Sequence, residues 1–200
     1  MNVSISKGNT KLGPSILNTS LTPIASCQPN TPCQKSGCYA LKAYRQYPNV
    51  RKAWDNNFNI YLESPQTYFK QINSYLETKN SFYFRWLVAG DIVDNRYLRG
   101  IIYAAQKNNQ GKFLVFTKNY PVLSSIKKEN LPKNLNIMVS AWPNYPIPKY
   151  IKENKYRIAW MQNSTETRIP KESFLCSGYC QDCLECWKQE NKKDVILPYH

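Results

Sequence analysis

The stretch Cys176-Ser-Gly-Tyr-Cys180-Gln-Asp-Cys183-Leu-Glu-Cys186-Trp187 constrains this chain more than any other part of it. Four thiols fall within eleven residues, spaced C-x3-C-x2-C-x2-C. A structural zinc site usually takes two close Cys pairs separated by a longer loop, because four ligands must wrap one small tetrahedral ion. An iron–sulfur cubane is larger, and its corners accept thiolates delivered one after another by a short chain. The ferredoxin run C-x2-C-x2-C-x3-C has gaps of that size. The same gaps occur here in reverse order, so Cys176, Cys180, Cys183 and Cys186 read as a [4Fe–4S] ligand set, with zinc as the alternative. The chain has seven Cys, an odd number that a closed disulfide framework would not leave.

The other three thiols form a second group near the start. Leu21–Ser26 reads as a short strand running into Cys27, Cys33 and Cys38, spaced C-x5-C-x4-C. Pro29, Pro32 and Gly37 make this a loop that folds back on itself, as convergent ligands require. Three thiolates without a local fourth would leave one iron of a cubane open to a small ligand. The same logic separates catalytic from structural zinc. The bland readings are three structural thiols, or a zinc site completed from elsewhere in the chain.

Two hundred residues with 42% apolar and 20% charged content suit one globular domain over 1–200. No apolar run reaches transmembrane length and the polar start is not a signal peptide, so the expected place is the cytoplasm, with no membrane partner. Reduced thiols are the rule there. The net charge of +14 implies an anionic partner, with nucleic acid as the candidate. Fifteen Tyr and five Trp would suit base stacking, although many recur at core spacings and Lys is interspersed with Asn. There is no Walker loop or dinucleotide fingerprint, and the single His, His200, cannot support a triad or His-based acid–base chemistry.

Along the chain, residues 1–20 read as an extended lead-in. From Tyr39 the pattern turns helical, with Val50, Trp54, Phe58, Tyr61 and Leu62 on one face. Ser64-Pro65 reads as the N-cap and first position of the next helix, which carries Phe69, Ile72 and Leu76 inward. Strands follow at 81–89, 112–118, 135–141 and 156–161, separated by a capped helix from about Asp94 and a short helix through Leu123 and Ile126. The tail through His200 reads as charged surface. Such alternation gives an α/β fold: a partial TIM-like barrel or open parallel sheet of about five or six βα units. The core would span 21–165, with the Cys27–Cys38 loop and the C-terminal Cys segment at 174–188 attached. In these folds chemistry gathers beyond the carboxyl ends of the strands. Polar residues cluster there, at Gly90-Asp91, Thr117-Lys118, Ser140–Trp142 and Gln162-Asn163.

Several of these features resemble known proteins. A strand leading into a three-Cys loop followed by Tyr39-Ala40 resembles the first unit of radical S-adenosylmethionine enzymes, although both gaps are longer than their C-x3-C-x2-C. Cys33-x4-Cys38-Tyr39-Ala40, Arg85-x4-Gly90-Asp91, Phe116-Thr117-Lys118 and Cys180-x2-Cys183-x2-Cys186-Trp187 together are similar to the phage family called gene product 88, over roughly residues 15–190. That resemblance implies a reduced relative of the radical-SAM barrel, in the host-cell cytoplasm. Cys27, Cys33 and Cys38 would hold an open cluster facing S-adenosylmethionine, and Cys176, Cys180, Cys183 and Cys186 a closed one. Gly90, Asp91 and Ser140 would lie near the cofactor, and Asp91, Arg85 and Lys118 are the candidates for catalytic ligand contact. An electron donor would be needed as partner. The alternative from a different class is a non-catalytic basic module, stabilised by iron–sulfur or zinc, that binds nucleic acid.

Overall fold

The computed structural model describes residues 1–35, 37–162, 171–188 and 190–198. Its frame is one eight-stranded sheet in the order β1-β2-β3-β4-β5-β6-β8-β7. The strands are β1 (Ser6–Lys7), β2 (Ile16–Thr19), β3 (Phe82–Trp86), β4 (Gly111–Thr117), β5 (Leu135–Ala141), β6 (Arg157–Gln162), β7 (Phe174–Leu175) and β8 (Val195–Pro198). All neighbours are parallel except the β1–β2 edge pair. The sheet is open, not a closed barrel.

The helices are α1 (Tyr39–Gln46), α2 (Pro48–Glu63), α3 (Pro65–Leu76), α4 (Asn95–Lys107), α5 (Lys149–Glu153) and α6 (Cys180–Cys183). Local chemistry starts the longer ones. Proline occupies the first position of α2 and α3, where its missing N–H costs nothing. The Ser64 hydroxyl accepts from the Thr67 N–H at 3.2 Å, and the Asp94 carboxylate accepts from the Tyr97 N–H at 2.9 Å. These N-caps satisfy donors that the first turn leaves orphaned.

Strand order explains which face is covered by what. From β2 to β6 the sheet is laid down sequentially in one direction, and right-handed crossovers then place every connection on the same side. That side is the large core, where Phe84, Trp86, Phe113 and Val115 meet Tyr68, Phe69, Ile72, Tyr97 and Ile101. The chain then overshoots to β7 and returns to β8, reversing the direction of winding. A right-handed connection that runs backwards lies on the opposite face. The C-terminal Cys segment is that connection. It packs on the second face, where Ile16, Leu114, Met138, Ala159 and Trp187 form a smaller core with Cys176, Cys180 and Cys186 against it. Strand alternation sorts the residues: Phe84 and Trp86 point to the helices, and Tyr83 and Arg85 to the Cys segment.

Several expectations need correction. The lead-in 1–20 contains β1 and β2, whereas Leu21–Ser26 is a tight turn and not a strand. Its polarity misled because β2 ends in Asn18 and Thr19, whose burial is 9% and 1% exposure, matched by hydrogen bonds and not by apolar character. The strand expected to run to Ala89 stops at Trp86, since Leu87 takes a left-handed φ of 56°. On α2 the buried stripe is Asn57, Ile60 and Tyr61, while Leu62 is 58% exposed. Asn57 is inside because its amide joins Ser4, Thr19 and Ser20. The tail is not all surface: β8 lies between β6 and β7 with Val195 fully buried. His200 and Asn163 lie outside the described residues.

Candidate functional site

The N-terminal thiols are carried by the turn after β2, which is fastened to the turn after β3. Leu21 N–H donates to the Ala89 carbonyl at 3.1 Å, Ala89 N–H to the Ser20 hydroxyl at 3.1 Å, and Leu87 N–H to the Thr19 carbonyl at 2.9 Å. Gly90 completes the fastening with φ +84°, and a Cβ there would stand 2.4 Å from the Ser26 hydroxyl. The close approach of the chain's own Ser26 accounts for this glycine. Cys27 follows immediately, Cys33 lies in a short 3-10 turn, and Cys38 is the residue before α1. All three are free and half-buried. Burial pushes the Cys27 thiol up to about 12, and Asp91, Cys33 and Cys38 add to it. The three thiols and Asp91 therefore share one neighbourhood.

Asp91 is 6% exposed and fully engaged by its own chain. It accepts from the Thr117 hydroxyl at 2.5 Å, the Lys118 N–H at 2.8 Å and the Ile92 N–H at 2.7 Å. Burial raises its pKa against the pull of these donors. The carboxylate thus clasps the turn after β3 to the turn after β4. Lys118 also lies at this end, with its ammonium 5.3 Å from the Trp142 ring centroid. Ser140 is buried at the end of β5, and its carbonyl accepts from the Tyr120 hydroxyl at 2.7 Å.

The C-terminal thiols are held against the second face by backbone and side-chain bonds. Cys176 N–H donates to Ile196 at 2.9 Å and Cys180 N–H to Lys11 at 2.8 Å. Asn136, from β5, donates its amide to the Cys186 carbonyl at 3.0 Å. Trp187 is 4% exposed and sits edge-on to Tyr83 at 5.9 Å. Leu184, at φ 54°, turns the chain between Cys183 and Cys186. Arg157 donates Nε to the Lys193 carbonyl at 2.9 Å, and Nη1 to the carbonyls of Glu185 at 3.2 Å and Lys188 at 3.3 Å. Burial pushes the Cys186 thiol up to about 12, opposed by the charges of Arg157 and Arg85.

Arg85 joins the two groups. It projects from β3 onto the second face, donates Nε to the Trp86 carbonyl at 3.2 Å and stacks on Phe116 at 3.9 Å. Its field reaches Cys180 and Cys186 on one side and Tyr39, which follows Cys38, on the other. The Tyr39 hydroxyl donates to the Val88 carbonyl on the connection after β3. Among the described residues, no group of three or more His, Cys, Asp or Glu side chains is gathered to hold a metal ion. The seven thiols thus form two neighbourhoods without closing on one centre; four thiolates on a single zinc would stand about 3.8 Å apart at the usual zinc–sulfur distance. Sequence reasoning missed Arg157, Asn136 and Trp187 as supports. The available signal was a charged or amide residue opening an otherwise apolar strand.

The Gene product 88 family model matches residues 3–193. The chain belongs to this family. In this Gene product 88 chain the match spans both thiol groups, β2 to β7, and all of Gly90, Asp91, Lys118 and Ser140. No curated protein and no solved structure matches it. No helix among the described residues is long and apolar enough to cross a membrane.

Proposed function

We propose that this chain is an iron–sulfur protein of radical-SAM-like type. In this reading Cys27, Cys33 and Cys38 hold a cluster with one open iron, and Cys176, Cys180, Cys183 and Cys186 hold a closed one. The observation that carries it is the sorting of all seven thiols, free and half-buried, into two groups on one parallel sheet. A donor set made only of thiols is what an iron–sulfur cluster takes. When bound, an open cluster would supply single electrons to a small ligand such as S-adenosylmethionine.

The chain's own groups have separate tasks. The turns after β2 and β3, fastened at Gly90, fix where Cys27 emerges. Asp91 aligns the ends of β3 and β4, and Lys118 stands at that end with its ammonium over the Trp142 ring. Tyr39, Tyr120 and Tyr145 give the N-terminal thiols aromatic neighbours. The substrate class we propose is phage- or nucleic-acid-related, on the charge of +14.

The test is iron, sulfide and zinc content of anaerobically purified protein, with Cys27→Ala and Cys180→Ala variants. About eight irons per chain, halved by either change, is the expected result for two cubanes. One zinc and no iron would sink the reading. A second reading rests on the same charge together with exposed Tyr39 and Tyr179 beside the two thiol groups: a basic nucleic-acid-binding module without catalysis. It requires binding to single-stranded DNA or RNA that falls steeply with added salt.

A further inference from the structure

Two guanidiniums, Arg85 and Arg157, act electrostatically on the C-terminal thiols, and among the described residues neither forms a carboxylate ion pair. Arg157 is 3% exposed, and among the described residues its Nη2 has no hydrogen-bond partner although Nε and Nη1 bind three carbonyls. Among the described residues, Asp194 and Glu185 stabilise its charge without reaching ion-pair contact, and each has closer partners. Asp194 accepts from the Ile158 N–H at 2.8 Å and the Trp160 indole at 2.9 Å. Glu185 takes the Lys188 ammonium and the Asn191 amide. Arg85 is half-buried, donates Nε to the carbonyl of Trp86, and lies over Phe116, which packs in the same small core as Cys176, Cys180 and Cys186. Burying a guanidinium is costly unless an anion answers it. Neutral thiols supply no such anion. Four thiolates around an iron–sulfur cluster carry net negative charge in either oxidation state, and more after reduction.

We propose that Arg85 and Arg157 are the counter-charges of the centre at Cys176, Cys180, Cys183 and Cys186, and that they raise its reduction potential. This rests on the iron–sulfur reading above. One electron from an external reductant such as dithionite enters the cluster, no bond is made or broken, and the two cations stabilise the added charge. The lever is electrostatic and sits beside the ligands, one of the known controls on cluster potential. It also gives β3 a function distinct from substrate contact: Arg85 serves the closed centre.

The experiment is a dithionite titration, followed by electron paramagnetic resonance, of anaerobically reconstituted full-length chain carrying Cys27→Ala so that only the C-terminal centre is read. Arg85→Gln, Arg85→Lys and Arg157→Lys are compared with that parent. We expect Arg85→Gln to lower the reduced-to-oxidised ratio at fixed potential about tenfold, equal to about 59 mV for a one-electron couple. Arg85→Lys, which keeps the charge, should recover most of it. An unchanged potential in Arg85→Gln at parental iron and sulfide content overturns the inference while leaving the cluster intact. A parent that holds no iron overturns the iron–sulfur reading and this inference together. Arg157→Lys should lower the potential less than Arg85→Gln; if it fails to fold, through loss of its carbonyl bonds, the Arg85 pair decides.

Discussion

Asp91→Ala separates a structural clasp from a ligand contact. Three donors meet this carboxylate in a site that is 6% exposed: Thr117 at 2.5 Å, Ile92 at 2.7 Å and Lys118 at 2.8 Å. The Thr117 hydroxyl can rotate to another acceptor, but the two backbone N–H groups cannot. A buried donor left without a partner costs about 1–3 kcal/mol, so two cost about 2–6 kcal/mol. Removing the carboxylate also removes its own burial penalty, which is visible as its raised pKa. The net loss should therefore fall in the lower part of that range, about 2–4 kcal/mol. Against a total of about 5–15 kcal/mol this is a large fraction. It corresponds to a drop in Tm of about 4–16 °C for a chain of this size. Urea denaturation followed by circular dichroism should show a lower midpoint with an unchanged slope. Asp91→Asn, which keeps one acceptor oxygen, should lie between the two. A loss below about 0.5 kcal/mol, as for an ordinary surface site, would refute the clasp and return Asp91 to the pool of ligand contacts.

Three further outcomes are expected. Gly90→Ala should destabilise by about 1–3 kcal/mol, because φ +84° strains any side chain and the new Cβ would meet Ser26 at 2.4 Å; a neutral result in thermal unfolding would contradict the fastening of the two turns. Gly100→Ala on α4 gains helix propensity but drives its methyl to 2.1 Å from Phe69, so unfolding should occur at lower denaturant, with about 1–3 kcal/mol lost to overpacking. At Asp94, burial pushes the pKa up but Tyr61, the Tyr97 N–H and Arg96 outweigh it and hold the group below the usual range. The sign follows: the carboxylate contributes stability above its unfolded pKa of about 3.9, lost as pH falls through the lower folded value. An Asp94→Asn variant should therefore lose less stability than the parent between neutral pH and pH about 3; equal slopes in that window would count against it.

Much of the fold was legible from local chemistry. Ser64-Pro65 and Asp94 announced α3 and α4 because caps act within one turn, and β4 and β5 announced themselves as mainly apolar runs buried on both faces. The two thiol groups were equally plain, since spacing is a property of the sequence alone. β2 and β8 were not legible. β2 is four residues long and half polar, and β8 follows a charged stretch; each is a strand only because a neighbour pairs with it. Gly90 and Asp91 were visible as a polar strand end, but the motif cannot distinguish a ligand contact from a contact with Ser26, Thr117 and Lys118, which arrive from distant parts of the chain.

The sequence by itself determined the elements, the alternation that makes a parallel sheet, and the inventory of seven thiols with a large positive charge. Those depend on interactions between residues a few positions apart, and on composition. Only the tertiary structure decided that the C-terminal thiols lie on the face opposite the large helical core, because that follows from the chain passing to β7 before returning to β8. It also decided that Arg85 and Arg157 face those thiols. A side chain on a strand has two faces to choose from, and the winding of the whole sheet determines what each face meets.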